Sequence, residues 1–140
     1  MNQSDSGFEK ASLDVISVRE ILAARVRQEL ERAGIPTTLL DVKNPDNPPG
    51  AEIDVDLGAD VAGGVFVKWN TSQCLRGAAG ESLMRQEFQA ATIKHNGAVG
   101  SLMCTAMVGI LQSAGFQAIE SEDDMRPSTV EVKGWSEPAS

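Results

Sequence analysis

Apolar side chains recur at helical spacing along an uncharged stretch from 97 to 116, whose sequence is GAVGSLMCTAMVGILQSAGF. The apolar positions cover more than half of the helix circumference, which indicates burial on most of the surface rather than on one face. The stretch is short for a membrane span, and it contains Gly100 and Gly109. The pattern therefore predicts the central helix of a small globular domain.

A second helical pattern lies near the start of the chain. Residues 16–21, ISVREI, have the form of a capping box at Ser17 to Glu20, with Ile16 and Ile21 placed as a hydrophobic staple. Apolar residues then repeat every three or four positions as far as the sequence AGIP at 33–36. Glycine fits the left-handed backbone that ends many helices, and proline prevents continuation. The sequence thus predicts a helix that begins after Ser17 and ends at Gly34.

Alternation of apolar and polar residues predicts the strands of a sheet. Between two of them, Lys68 is expected to lie opposite the acidic face of the preceding strand, and these acidic faces are expected to point to solvent. The proline-rich segment 44–50 is predicted to be a loop, and 58–64 to close a hairpin. The predicted strands are 37–42, 53–57, 65–69, 117–121 and 128–133.

A modest amphipathic pattern predicts one more helix over 81–92, followed by a turn at 94–97 before the central helix. The resulting order is α-β-β-β-α-α-β-β. It favours a two-layer α+β domain, in which one antiparallel sheet is packed by helices on one face. The expected organisation is a loose N-terminal tail over 1–11, a single domain over 12–133 and a loose C-terminal tail over 134–140.

Composition and charge reduce the number of function classes that the chain fits. The chain of 140 residues has a net charge of -8, which works against non-specific binding to nucleic acid or to anionic membranes. Cys74 and Cys104 have no metal-ligand spacing. The sequence shows no cofactor motif or catalytic signature, and its first residues lack the apolar core of a signal peptide. A cytoplasmic protein without enzymatic activity or cofactor is the expectation.

One candidate ligand site precedes the predicted central helix. Lys94, His95 and Gly97 lie where a helix N-terminus would begin, and free backbone N–H groups at such a position can hold an anion. The spacing lacks the pattern of a phosphate-binding loop. A small anionic-ligand binder is therefore one alternative function, and a plain polar turn is the other interpretation of these residues.

A second candidate is a metal-dependent hydrolase. Asp124 followed by Glu131 and Lys133 has the spacing of the D…E-x-K metal-nuclease signature, which it resembles in outline. Two carboxylates would hold Mg²⁺, and the lysine would orient or activate water. The same alternation is also typical of a solvated strand face, and the chain offers no basic surface for DNA.

The leading hypothesis is a non-enzymatic protein-binding module: an adaptor, an immunity-like protein or a chaperone-like protein. Aromatic residues are favoured at interfaces, and the candidate contacts are Trp69, Trp135 and Phe66. The small residues and methionines of the central helix also suggest a homodimer across it. The order α-β-β-β-α-β-β resembles that of the small acidic chaperones that escort secreted effectors, which are usually dimers, and the helix over 81–92 departs from it.

Overall fold

Three helices and five strands follow one another over residues 13–40, 47–56 and 64–135, the parts of the chain that the computed structural model describes. Their order, α-β-β-β-α-α-β-β, confirms the predicted α+β fold. The elements are α1 (Leu13–Arg32), β1 (Thr37–Leu39), β2 (Gly50–Val55), β3 (Val65–Asn70), α2 (Gln73–Met84), α3 (Ala91–Ser113), β4 (Phe116–Glu120) and β5 (Val130–Trp135).

The strands form one sheet in the order β1-β2-β3-β5-β4. Helix α1 packs mainly on β1 and β2, and α3 packs on β3, β5 and β4, whereas α2 packs on α3. The core lies between the sheet and the two long helices. Every second residue of a strand points to the same face, and on the face toward the helices these residues are mainly apolar. Its fully buried members include Leu30, Ile53, Val67, Met107 and Val132.

Strand β1 runs parallel to β2, with Thr37 opposite Ala51 and Leu39 opposite Ile53. The other strand pairs are antiparallel, so the prediction of a wholly antiparallel sheet is wrong at this edge. Ten residues separate the two strands along the chain. The predicted hairpin at 58–64 and the end of the predicted strand over 37–42 lie largely outside the described residues.

The predicted end of α1 is confirmed, and its predicted start is wrong. Gly34 has a φ of 94°, and the Ile35 N–H donates to the Leu30 carbonyl at 3.0 Å, which closes the helix. The helix begins at Leu13, so Ser17 lies inside it rather than at its cap. Ile21 is 57% exposed and cannot act as the apolar half of a staple.

The second and third helices differ from the prediction over 81–92. Helix α2 begins at Gln73, capped by the Ser72 hydroxyl, which accepts from the Leu75 N–H at 3.2 Å. Helix α3 already begins at Ala91, within the predicted preceding helix. A hydrogen bond of 3.0 Å between the Ser82 and Thr92 hydroxyls ties the two together across the intervening turn.

The acidic face of β2 is not simply solvated, as the alternation had suggested. Lys68 lies opposite Glu52, as predicted, with Nζ 3.8 Å from Oε1. However, Glu52 itself is only 3% exposed. The turn between β4 and β5 covers part of this face, since the Arg126 guanidinium stacks 3.8 Å from the centre of the Phe66 ring.

Candidate functional site: the groove between α1 and β1

An open groove of about 690 Å³ separates α1 from the sheet edge formed by β1 and β2. We call it the α1–β1 groove. Its lining is mainly apolar at the floor and charged at the rim, which is the usual character of a binding cleft. The lining residues are Glu20, Ala23, Ala24, Arg27, Gln28, Glu31, Leu39, Leu40, Ile53, Asp54 and Val55.

Small side chains on α1 account for the space. The helix presents positions 20, 23, 24, 27, 28 and 31 to the groove, which is the i, i+3, i+4, i+7 spacing of one helix face. At the middle of this face are Ala23, which is buried against the core, and Ala24, which is exposed, while Leu39 of β1 remains 49% exposed. The helix therefore stands on the sheet without covering its edge.

The end of β1 and the residue after it carry two leucines that the fold leaves exposed. Leu39 shares the helix-facing side with its partner Ile53, and yet it is 49% exposed. Leu40 follows directly after the end of β1 and is 41% exposed, and its N–H donates to the Ile53 carbonyl at 2.7 Å. Both leucines line the groove, so their exposed side chains give it an apolar contact surface.

The rim of the groove is acidic. Glu20, Glu31 and Asp54 supply three carboxylates against the one guanidinium of Arg27, so the formal charge of the lining is -2. Arg27 Nε already lies 3.4 Å from Glu31 Oε2, one helical turn along α1. Asp54 accepts a hydrogen bond of 3.1 Å from Arg126 on the opposite face of the sheet.

The predicted aromatic contact residues do not form one surface. Phe66 and Trp69 point to opposite faces of β3, and Phe66 is buried beneath Arg126. Trp135 is part of β5 rather than a loose tail, since the strand continues two residues past the predicted end at Lys133. Its ring lies 4.2 Å from the Arg25 guanidinium, and its Nε1 donates to the carbonyl of Ala114, directly after α3, at 3.2 Å.

The candidate anion-binding residues Lys94, His95 and Gly97 lie inside α3 rather than before it. The predicted turn at 94–97 is therefore wrong. The Lys94 N–H donates to the Ala90 carbonyl at 3.2 Å, and Gly97 lies a further turn along the helix. Backbone N–H groups in these positions are used within the helix, so they are not free to hold an anion.

The candidate hydrolase residues are distributed over a turn and a strand. Asp124 is exposed in the turn before β5, Glu131 is nearly buried within β5, and Lys133 is exposed further along it. Within the described residues, no three histidine, cysteine, aspartate or glutamate side chains are placed to share a metal ion.

The outer surface of α3 is unusual for so acidic a chain. From Ala98 to Ser113 the helix carries no charged residue. Its solvent-facing side is made of small or uncharged side chains, with Leu102 projecting from it at 68% exposure. The exposed positions are Ala98, Ser101, Leu102, Thr105, Ala106, Gly109, Gln112 and Ser113.

Sequence patterns did not indicate the α1–β1 groove. The available signals were the adjacent leucines that precede a proline-rich segment and the alanine pair on the otherwise charged flank of α1. Neither signal is specific, because the groove exists only once α1 is placed across the sheet edge.

Compared with protein-family models, with curated proteins and with solved structures, the chain matches none of them. The resemblance of its element order to secretion chaperones thus rests on that order alone. Among the described helices, none is both long and apolar enough to cross a membrane.

Proposed function

We propose that this protein is a non-enzymatic protein-binding module that holds an apolar segment of a partner in the α1–β1 groove. The observation that carries the proposal is the exposure of Leu39 and Leu40 beside an open groove of about 690 Å³. Contiguous exposed apolar surface with a polar rim is typical of protein-binding sites. An adaptor or a chaperone-like protein would use such a surface.

The charge of the rim defines the partner. Asp54 is paired with Arg126, but Glu20 and Glu31 outnumber Arg27 on the α1 side of the groove, and the chain has a net charge of -8; both features favour a segment whose apolar side chains are flanked by lysine or arginine. Apolar anchors would contact Leu39, Leu40 and Val55, and flanking basic residues would approach Glu20 and Glu31. Electrostatic attraction would speed the encounter, and burial of the anchors would supply most of the affinity.

Peptide selection on the purified protein tests this proposal. Random peptides displayed on phage should yield sequences with aliphatic or aromatic anchors and basic flanks. Ala24→Leu, which fills the groove from α1, should weaken binding of a selected peptide by roughly tenfold or more. Ala91→Leu places the same side chain at an exposed position of α3, outside the groove, and should leave binding unchanged. Failure to enrich peptides, or equal binding to both variants, would contradict the proposal.

A charge-matched pair of variants gives an independent test. Glu20→Lys with Glu31→Lys should slow association of the selected peptide and lower its salt dependence, because both carboxylates lie on the groove rim. Glu81→Lys with Glu122→Lys changes the net charge by the same amount at exposed positions outside the groove lining. Equal effects of the two pairs would show that the net charge of the chain, not the groove, attracts the peptide.

We also propose that two copies associate through the outer surface of α3. Each copy carries a net charge of -8, so equal chains approach best through a surface without carboxylates. The uncharged segment from Ala98 to Ser113 extends roughly 24 Å along the helix axis. Its small residues would allow close helix contact, with Leu102 as the apolar anchor.

Sedimentation equilibrium tests the dimer. The unmodified chain should sediment as a dimer, and Leu102→Glu with Ala106→Glu should sediment as a monomer with unchanged circular dichroism. A matched double substitution on α2, Gln73→Glu with Gly77→Glu, should leave the dimer intact. A monomer at every concentration of the unmodified chain would refute this assembly.

A further inference from the structure

A second cavity, of about 340 Å³, lies on the face of the sheet opposite the helices. We call it the outer cavity. Its floor is formed by β2 and β3, and the turn between β4 and β5 forms one wall. The lining residues are Leu40, Glu52, Asp54, Phe66, Lys68, Met125, Arg126, Pro127 and Thr129.

Glu52 is the buried charge of this cavity. Its side chain is 4% exposed, and both of its polar contacts are made by the same oxygen. Oε1 accepts from Asn70 Nδ2 at 2.8 Å and lies 3.8 Å from Lys68 Nζ. Within the described residues, the second oxygen, Oε2, has no polar partner.

Oε2 of Glu52 nevertheless remains open to the cavity. Arg76 Nε is the single fully enclosed side-chain polar atom that lacks a partner in the described part of the chain. Oε2 of Glu52 has no partner and is not among the fully enclosed atoms, so it must keep some solvent-accessible surface. Because Glu52 lines the outer cavity, that surface is open to the cavity. A carboxylate oxygen held in this way is an acceptor without a donor.

The neighbouring carboxylate, that of Asp54, already binds a cation on this face of the sheet. Asp54 lies two residues along the same strand, on the same face, at roughly 7 Å from Glu52. It is occupied by the Arg126 guanidinium, which donates to Asp54 at 3.1 Å while it stacks on Phe66. The chain thus already places one organic cation between a carboxylate and an aromatic ring here.

Glu52 is less well compensated than Asp54. Lys68 Nζ is beyond hydrogen-bond distance, and its side chain is largely exposed, so little holds it in place. We infer that the outer cavity binds an alkylammonium group, which donates to Glu52 Oε2 while its aliphatic stem contacts Leu40 and Met125. A free amine and a lysine side chain of a partner share this chemistry.

The outer cavity and the α1–β1 groove have separate key residues, although Leu40 and Asp54 line both. Ala24 belongs to the groove alone, and Glu52 belongs to the outer cavity alone. Ala24→Leu should consequently leave amine binding unchanged, and Glu52→Gln should leave anchor binding in the groove unchanged. Failure of one proposal is therefore distinguishable from failure of the other.

The test is a titration followed by amide chemical shifts in nuclear magnetic resonance. The probes are Nα-acetyl-lysine-N-methylamide, n-butylamine and, as the uncharged control, Nα-acetyl-norleucine-N-methylamide. The lysine compound should produce saturable shifts at Phe66, Lys68 and Thr129, and the norleucine compound should not. Equal affinity for n-butylamine would indicate a site for free amines, and preference for the blocked lysine would indicate a partner's side chain.

Three variants complete the experiment. Glu52→Gln can still accept from Asn70, so it should fold and bind roughly tenfold or more weakly. Lys68→Met removes the internal competitor and should tighten binding. Glu122→Gln removes an exposed carboxylate elsewhere and should change nothing. Shifts spread over the surface, equal weakening in Glu122→Gln, or no tightening in Lys68→Met would overturn the inference.

Discussion

Asn70 donates a 2.8 Å hydrogen bond from its side-chain amide to the Glu52 carboxylate, and both side chains are buried. The two residues are diagonal neighbours on the antiparallel pair β2 and β3, since Asn70 lies opposite Gly50 and Lys68 lies opposite Glu52. A charge with so little exposure requires such a donor, because the sheet shields it from most water. This contact is what makes the acidic face of β2 compatible with burial.

Asn70→Ala should lower the free energy of unfolding by about 1–3 kcal/mol, the cost of leaving a buried charged group without its hydrogen bond. The substitution also removes a weaker donor contact of 3.3 Å to the Pro48 carbonyl. Urea denaturation measures the change. Lys68→Ala is the control, and it should cost less than about 1 kcal/mol because the lysine side chain is largely exposed and its Nζ lies 3.8 Å from Glu52, beyond hydrogen-bond distance. Equal losses would mean that Glu52 depends as much on Lys68 as on Asn70.

Two glycines with positive φ should differ in their tolerance of alanine. At Gly34 a Cβ would meet nothing within 4 Å, so Gly34→Ala should cost only the left-handed backbone strain, about 1–2 kcal/mol. At Gly50, with φ of 120°, a Cβ would lie 2.5 Å from the Pro36 carbonyl oxygen.

That oxygen also accepts the Ala51 N–H at 2.9 Å, so it cannot move without loss of the β1–β2 connection. Gly50→Ala should therefore be clearly more destabilising than Gly34→Ala. Thermal denaturation of both variants under the same conditions measures the difference in their melting temperatures. A smaller effect at position 50 would mean that the parallel edge strand adjusts freely.

Cys104 and Cys74 should react very differently with iodoacetamide. Cys74 is exposed on α2, whereas Cys104 is buried in the core. Burial, helped by the nearby charge of Glu120, raises the pKa of the Cys104 thiol. Mass spectrometry after alkylation at neutral pH should find Cys74 modified and Cys104 protected until denaturant is added. Modification of Cys104 in the folded protein would indicate frequent opening of the core.

The same pKa shift predicts a pH dependence of stability. Above the ordinary thiol pKa, the unfolded chain releases the Cys104 proton while the folded chain keeps it, so the free energy of unfolding falls as pH rises. This contribution is fully present below the ordinary thiol pKa. Urea midpoints for Cys104→Ala should decline less steeply across this range than those of the unmodified chain. Parallel curves would show that other groups cause the decline.

Met107→Lys should prevent folding, because an unpaired ammonium in the core costs several kcal/mol, a large share of the about 5–15 kcal/mol that stabilises a typical domain. Met107 has no exposed surface on the inner side of α3. Ala106→Lys adds the same charge one residue away, on the exposed side, and should retain a cooperative thermal transition. Circular dichroism distinguishes the two, and cooperative melting of Met107→Lys would show that the core tolerates charge at that position.

Local chemistry was readable from the sequence where neighbouring residues decide the structure. The end of α1 at Gly34 follows from glycine's freedom in the left-handed region together with the proline that follows. The alternation of β2 and β3 likewise predicted that Lys68 would oppose an acidic residue, and it opposes Glu52. These features depend on a few residues along the chain.

Tertiary structure decided the direction of β1, the position of α2 and the burial of Glu52. A period of two distinguishes the faces of a strand, but it does not say whether a neighbouring strand is parallel or which distant turn covers a face. The helix near residue 81 begins earlier than its apolar spacing indicated, at the Ser72 cap. The contact of Ser82 with Thr92 ties the end of α2 to the start of α3. The α1–β1 groove has the same origin, since it is the space between elements that only the packing of α1 on the sheet brings together.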